Sequence, residues 1–63
     1  MLVTIDAQSN SHPAYEVEWP DKWRLPMNGE KVYAKNCAYT VLSVVFDLDI
    51  GVNQITLTVR YDD

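Results

Sequence analysis

The spacing in this chain that comes nearest to metal chemistry is Asp47-Leu48-Asp49-Ile50-Gly51, which echoes the opening of a calcium loop, D-x-[DN]-x-[DN]-G. It lacks the third ligand before the glycine and a glutamate at the twelfth position, so too few oxygens converge to hold a calcium ion tightly. His12 is the only histidine and Cys37 the only cysteine. No CxxC or Cys/His spacing supports a structural zinc, and a nucleophilic triad needs more candidates than one imidazole and one thiol. The expectation is a protein with no catalytic residue, no metal and no cofactor, in which Cys37 fills space in a turn.

What remains is binding chemistry. Tyr15, Trp19, Trp23, Tyr33 and Tyr39 are a large aromatic set for 63 residues, and a core this small needs the area of Tyr15, Trp19 and Tyr39. Trp23 and Tyr33 differ from these three. Trp23 sits between Lys22 and Arg24 in a segment bounded by Pro20 and Pro26, and Tyr33 falls on the outward parity of its strand. Exposed aromatics beside arginine are the composition of a protein-binding hot spot. The predicted contacts are Trp23, Arg24, Met27 and Tyr33, with Glu16, Glu18, Asp47 and Asp49 supplying electrostatic steering. Trp23 has two placements open to it: a partner-facing anchor, or a lid over one end of the fold.

Charge narrows the partner class. Five Lys and Arg against nine Asp and Glu give a net charge of −4, and no two cations are adjacent in the sequence. A phosphate-backbone binder works by releasing counterions from a basic stripe, so direct nucleic-acid binding is not expected. The start, MLVTIDAQ, has neither a basic n-region nor an apolar run of membrane length, so no signal peptide and no membrane association are predicted. With a lone cysteine, a reducing cytoplasm fits best. A hydrophobic fraction of 48% is too high for a disordered tail and predicts one globular domain over residues 1–63.

The elements that must position these residues read as strands. In the first, Val3, Ile5 and Ala7 share a face; in the second, Tyr15, Val17 and Trp19 point inward and Glu16 and Glu18 outward. The polar run from Gln8 to Pro13 joins them as a hairpin or short open loop. Residues 20–28 form a crossover loop ended by the turn signal Asn28-Gly29. Strand three covers residues 30–35 with Val32 and Ala34 inward, and Asn36-Cys37 is read as the tight turn into strand four. There the inward parity switches from Tyr39 and Val41 to Val44, Phe46 and Leu48, which requires a β-bulge or bend at Leu42-Ser43. The last turn is placed at residues 49–53, with Gly51 free to take positive φ. Ile55, Leu57, Val59 and Tyr61 alternate with Gln54, Thr56, Thr58 and Arg60 in the fifth strand, and Asp62-Asp63 is expected to end the chain in solvent, with Asp47 and Asp49 adding to an acidic surface.

Five short strands, one of them strongly bent, predict an all-β, five-stranded small barrel with little or no helix. Gly29-Glu30-Lys31-Val32 followed by Tyr39-Thr40-Val41-Leu42-Ser43-Val44 resembles the SH3-like small barrels, in which a turn enters a strand at G-[DE]-x-V and a bent strand follows as Y-x-V-x-x-V. The resemblance covers roughly residues 26–61 and implies an interaction module without fixing its ligand. The A-L-Y-D-Y signature and the paired tryptophans of the peptide-binding SH3 domains are missing, which argues against proline-peptide recognition. Chains this short with such a pattern also resemble the orphan products of phages and mobile elements. The expected function is a non-enzymatic protein–protein interaction module, of the kind with which a phage inhibits or adapts a host or virion component. Two other readings stand beside it: a structural subunit that assembles into an oligomer or virion through a strand edge, and an acidic mimic of nucleic acid.

Overall fold

The computed structural model describes residues 1–49 and 53–62. Among these it contains five strands and no helix: β1 (Leu2–Asp6), β2 (Tyr15–Glu18), β3 (Lys31–Ala34), β4 (Cys37–Asp47) and β5 (Gln54–Asp62). They form a single sheet in the order β2-β1-β5-β4-β3, curled strongly into a half-barrel. All pairings are antiparallel except that of β1 with β5, which is parallel and starts at Val3 opposite Ile55. A parallel pair needs a long connection. Here the rest of the chain supplies it: β2 folds back on β1 at one edge, residues 19–30 cross to the other, and the β3-β4-β5 meander returns to the centre.

Period-two alternation places Val3 and Ile5 of β1, Tyr39 and Val41 of β4, and Leu57 and Val59 of β5 on the concave face, where all six are buried. Half-buried Tyr15, Val17, Trp19, Val32 and Ala34 extend this core towards the edges, and Leu25 of the crossover loop packs on it beside the buried Pro26. The convex face is polar across the middle of the sheet, where Gln54 donates through Nε2 to Thr4 Oγ1 at 2.8 Å.

The parity switch in β4 is a bulge. Val41 pairs with Val59 and Ser43 with Thr58, so Leu42 is the extra residue and Val44 comes to face Leu57. A bulge bends its strand and adds twist, which curls a short sheet around a small core. The inward set beyond it is a correction. Val44 is only half-buried, and Phe46 and Leu48 are 60% and 78% exposed. Phe46 pairs with Ile55 and so has the expected parity, but little of the fold covers that end of the concave face.

Three turns were assigned in the sequence, and each has a different outcome. Asn28-Gly29 is the turn expected: Glu30 N–H donates to the Met27 carbonyl at 3.0 Å, and Gly29 takes φ of 88°, a value L side chains adopt only under strain. The turn into β4 lies one residue earlier than Asn36-Cys37. Lys35 and Asn36 have φ of 50° and 61°, the pattern of a two-residue type I′ hairpin, and Cys37 already pairs with Ala34. The third turn, with Gly51, lies outside the described residues. The end of the chain also needs correcting. Asp62 is the last residue of β5, where Lys31 and Arg60 pair with it and the Thr40 hydroxyl donates to it at 2.8 Å. These bonds hold its carboxyl below the usual range, Lys31 contributing most, so Asp62 is not part of a free acidic surface.

Candidate site: a groove between two open strand edges

A half-barrel leaves both terminal strands of its sheet unpaired on one side. The reciprocal bonds between Met1 and Trp19 (N–H of Trp19 to Met1 O, 2.7 Å; Met1 amino group to Trp19 O, 3.0 Å) fix which β2 residues face β1. By the two-residue alternation of an antiparallel ladder these are Tyr15, Val17 and Trp19, so the backbone groups of Glu16 and Glu18 point to the free edge. At the other edge Val41 accepts from Gly29 N–H and donates to Glu30 O. The same counting gives Val32 and Ala34 to β4 and directs the N–H and C=O groups of Lys31 and Tyr33 away from the sheet.

No Cα of β2 lies within 8 Å of a Cα of β3. Side chains span the gap at one end, where Lys35 Nζ of the β3–β4 turn stands 4.0 Å over the Tyr15 ring and the hydroxyls of Tyr15 and of Tyr39 in β4 are 3.1 Å apart. That contact and burial push the Tyr39 phenol well above its ordinary pKa. Beside it lies a groove of about 690 Å³, lined by Trp19 and Trp23 and by Lys31, Val32 and Tyr33.

Trp23 is 65% exposed and meets Trp19 edge to face, with ring centroids 6.3 Å apart. Of its two expected placements the structure has the accessible one. Tyr33 is 73% exposed, as its outward parity required. Trp19 contributes a polar feature: its indole Nε1 is buried and has no hydrogen-bond partner among the described residues. A buried donor left unpaired costs about 1–3 kcal/mol.

Arg24 also lines the groove, but its guanidinium is not a free charge. It grips Glu30 with both terminal nitrogens, at 2.7 and 2.6 Å, while Met27 N–H donates to the same carboxylate at 2.7 Å. These bonds, Arg24 first, lower the Glu30 pKa to about 2 and staple the crossover loop to the start of β3.

The remaining predicted contacts do not share this groove. Met27 lies on the far side of the loop, in a second groove of about 450 Å³ with Leu25, Val44 and Phe46. Glu16 and Glu18 are exposed on β2, where Glu18 holds the Met1 amino group at 3.2 Å. Asp47 and Asp49 lie past the bulge, with the Asp47 carboxylate accepting from Asp49 N–H at 3.0 Å. His12 stacks on Tyr61 at 4.6 Å between centroids. Among the described residues no three His, Cys, Asp or Glu side chains stand close enough together to hold a metal ion.

Sequence reasoning missed Trp19, Lys31 and Val32 as lining residues. The alternation that singled out Tyr33 also places Lys31 outward, and a local charge count carries a further signal. Residues 22–35 hold Lys22, Arg24, Lys31 and Lys35 against the single acid Glu30, a charge of +3 within a chain of net −4. The loop and β3 thus make a cationic wall on an acidic protein. No protein-family model matches this chain, and no curated protein or solved structure is found to be similar to it.

Proposed function

We propose that this protein is a non-enzymatic protein-interaction module that takes its partner in the groove between β2 and β3, acting as an adaptor or inhibitor. The observation that carries the reading is one unpaired strand edge, at Lys31 and Tyr33, facing two tryptophans across an open gap. Unpaired edges invite pairing with another chain. Exposed Trp and Tyr supply the contact area from which binding hot spots are built. Affinity capture from a lysate of the source organism, using wild type, Trp23→Ala and Phe46→Ser as baits, tests the location. A protein retained by wild type and Phe46→Ser and lost by Trp23→Ala supports the groove. Loss on Phe46→Ser alone moves the site to the second groove.

A specific observation also favours assembly of copies through their edges. β2 and β3 run in opposite directions at the two ends of one sheet, and β2 presents Glu16 and Glu18 where β3 presents Lys31 and, at its turn, Lys35. Copies placed side by side would join β3 to β2 antiparallel with opposite charges opposed, a head-to-tail contact that builds rings or filaments. Sedimentation of wild type against Glu16→Lys/Glu18→Lys distinguishes the two readings. A concentration-dependent oligomer abolished by the charge reversal is the result that assembly requires. The nucleic-acid mimic draws less support, because Glu18, Asp21, Glu30 and Asp62 are already engaged in ion pairs.

A further inference from the structure

Resting on the groove as the binding site, we infer that its occupant is an extended segment of a partner protein that adds to β3 as a sixth strand, with alternating apolar and acidic side chains. Four observations carry the inference. The first is separation. Neighbouring strands lie about 4.8 Å apart, and no Cα of β2 lies within 8 Å of a Cα of β3, so the two edges do not pair with each other and β3 keeps its outer side unpaired.

The second is backbone chemistry. Lys31 and Tyr33 each turn one N–H and one C=O to the gap, spaced to accept the alternate residues of an added strand. The third is the apolar lining: Trp19 and Val32 share the groove and offer contact area to the inward side chains of an incoming segment. The fourth is charge, which selects the edge and the occupant together. Side chains of the added strand that point outward fall beside Lys31 and Tyr33 on the cationic wall, and those that point inward fall beside Val32 and Trp19. Acidic residues suit the outward positions and apolar ones the inward. At the β2 edge the outward neighbours are Glu16 and Glu18, which repel the same sequence. A cationic wall with exposed aromatics also suits a single-stranded nucleic acid, which stacks bases on aromatic rings. The peptide is favoured because the edge's free backbone groups match a strand and not a phosphate chain.

The test uses a displayed library of random ten-residue peptides, selected on the whole chain, with amide hydrogen exchange as the structural readout. Selected peptides are expected to alternate acidic and apolar residues and to lose affinity by at least about tenfold against Lys31→Glu/Lys35→Glu. Their binding is expected to slow exchange at the Lys31 and Tyr33 amides by about tenfold or more, with Val32 and Ala34 already protected in the free protein. A melt of each variant confirms that it is folded. Peptides that bind in a Trp23-dependent way and leave the Lys31 and Tyr33 amides unprotected overturn strand addition and keep the groove as an interaction site. Selection of no Trp23-dependent peptide also overturns strand addition, and the capture experiment above then decides the site by itself. Oligothymidylate that binds in the groove and displaces selected peptides without protecting those amides replaces the peptide with a nucleic acid as the ligand.

Discussion

Replacing Leu57 by Ala is the sharpest test of how this half-barrel is held together. Leu57 is completely buried at the middle of β5, opposite Ile5 on one side and Val44 on the other. The substitution removes three carbons, about 2.4 kcal/mol at roughly 0.8 kcal/mol for each buried methylene. A cavity term brings leucine-to-alanine losses to about 2–5 kcal/mol. The concave face is only partly covered around Val44, so neighbours can close some of the void, and we expect about 3 kcal/mol. At about 0.05–0.15 kcal/mol per residue a chain of this length has roughly 3–9 kcal/mol in total. The variant therefore gives up a third or more of its stability. For a domain this small each kcal/mol moves the midpoint by about 4–8 °C, so circular-dichroism melts should show a fall of roughly 12–24 °C. Urea titration should give a lower midpoint at unchanged slope. Leu48→Ala is the control: the same atoms leave a side chain that is 78% exposed, and the effect should stay within about 0.5 kcal/mol. A Leu57→Ala midpoint within about 5 °C of wild type, or a Leu48→Ala variant equally destabilised, would refute the assignment of the core.

Three further outcomes are expected. Trp23→Ala should cost no more than about 1.5 kcal/mol in a chemical melt, the scale of one edge-to-face aromatic contact, and not the 3–5 kcal/mol of a truncated core aromatic. Because the Glu30 carboxyl is lowered to about 2 from 4.5 in the unfolded chain, the stability it contributes is complete above pH 4.5 and is lost as pH falls towards 2; Glu30→Gln should remove that part of the acid dependence of the melting temperature, and an unchanged acid limb would refute the staple. Deleting Leu42 should leave a folded protein, since Ser43 then pairs with Thr58 and Val44 with Leu57 without a bulge, whereas deleting Val45 reverses the facing of Phe46 and Asp47; nuclear Overhauser contacts between Val44 and Leu57 in the first variant check the register.

The interaction reading makes the open edges the functional part of the molecule. A fully closed barrel would bury its edge hydrogen-bonding groups and leave only side chains to recognise a partner. Here the Arg24–Glu30 staple and the buried Pro26 fix the crossover loop along one side of the gap, so Trp23 is held at the groove by packing and ion pairing beside it. A rigid wall lowers the ordering cost of binding.

Local patterns in the sequence determined the strands, because a side chain's facing follows from its parity, and parity is visible wherever apolar and polar residues alternate. The same arithmetic located the bulge at Leu42, since Tyr39 and Val41 cannot share a face with Val44 unless a residue is added between them. Asn28-Gly29 was legible because both residue types tolerate positive φ, which Gly29 takes here. The Lys35-Asn36 turn was misplaced by one residue because lysine at positive φ carries no such mark and the closing Ala34–Cys37 pair is a long-range fact. Other features depended on which strands become neighbours. Burial of Leu57, exposure of Phe46, the Lys31–Asp62 pair and the unpaired edge at Lys31 and Tyr33 all follow from the order β2-β1-β5-β4-β3. That order is set by the packing of strands far apart in the chain. Alternation within one strand says which face a residue takes, but not what stands opposite it or whether anything does.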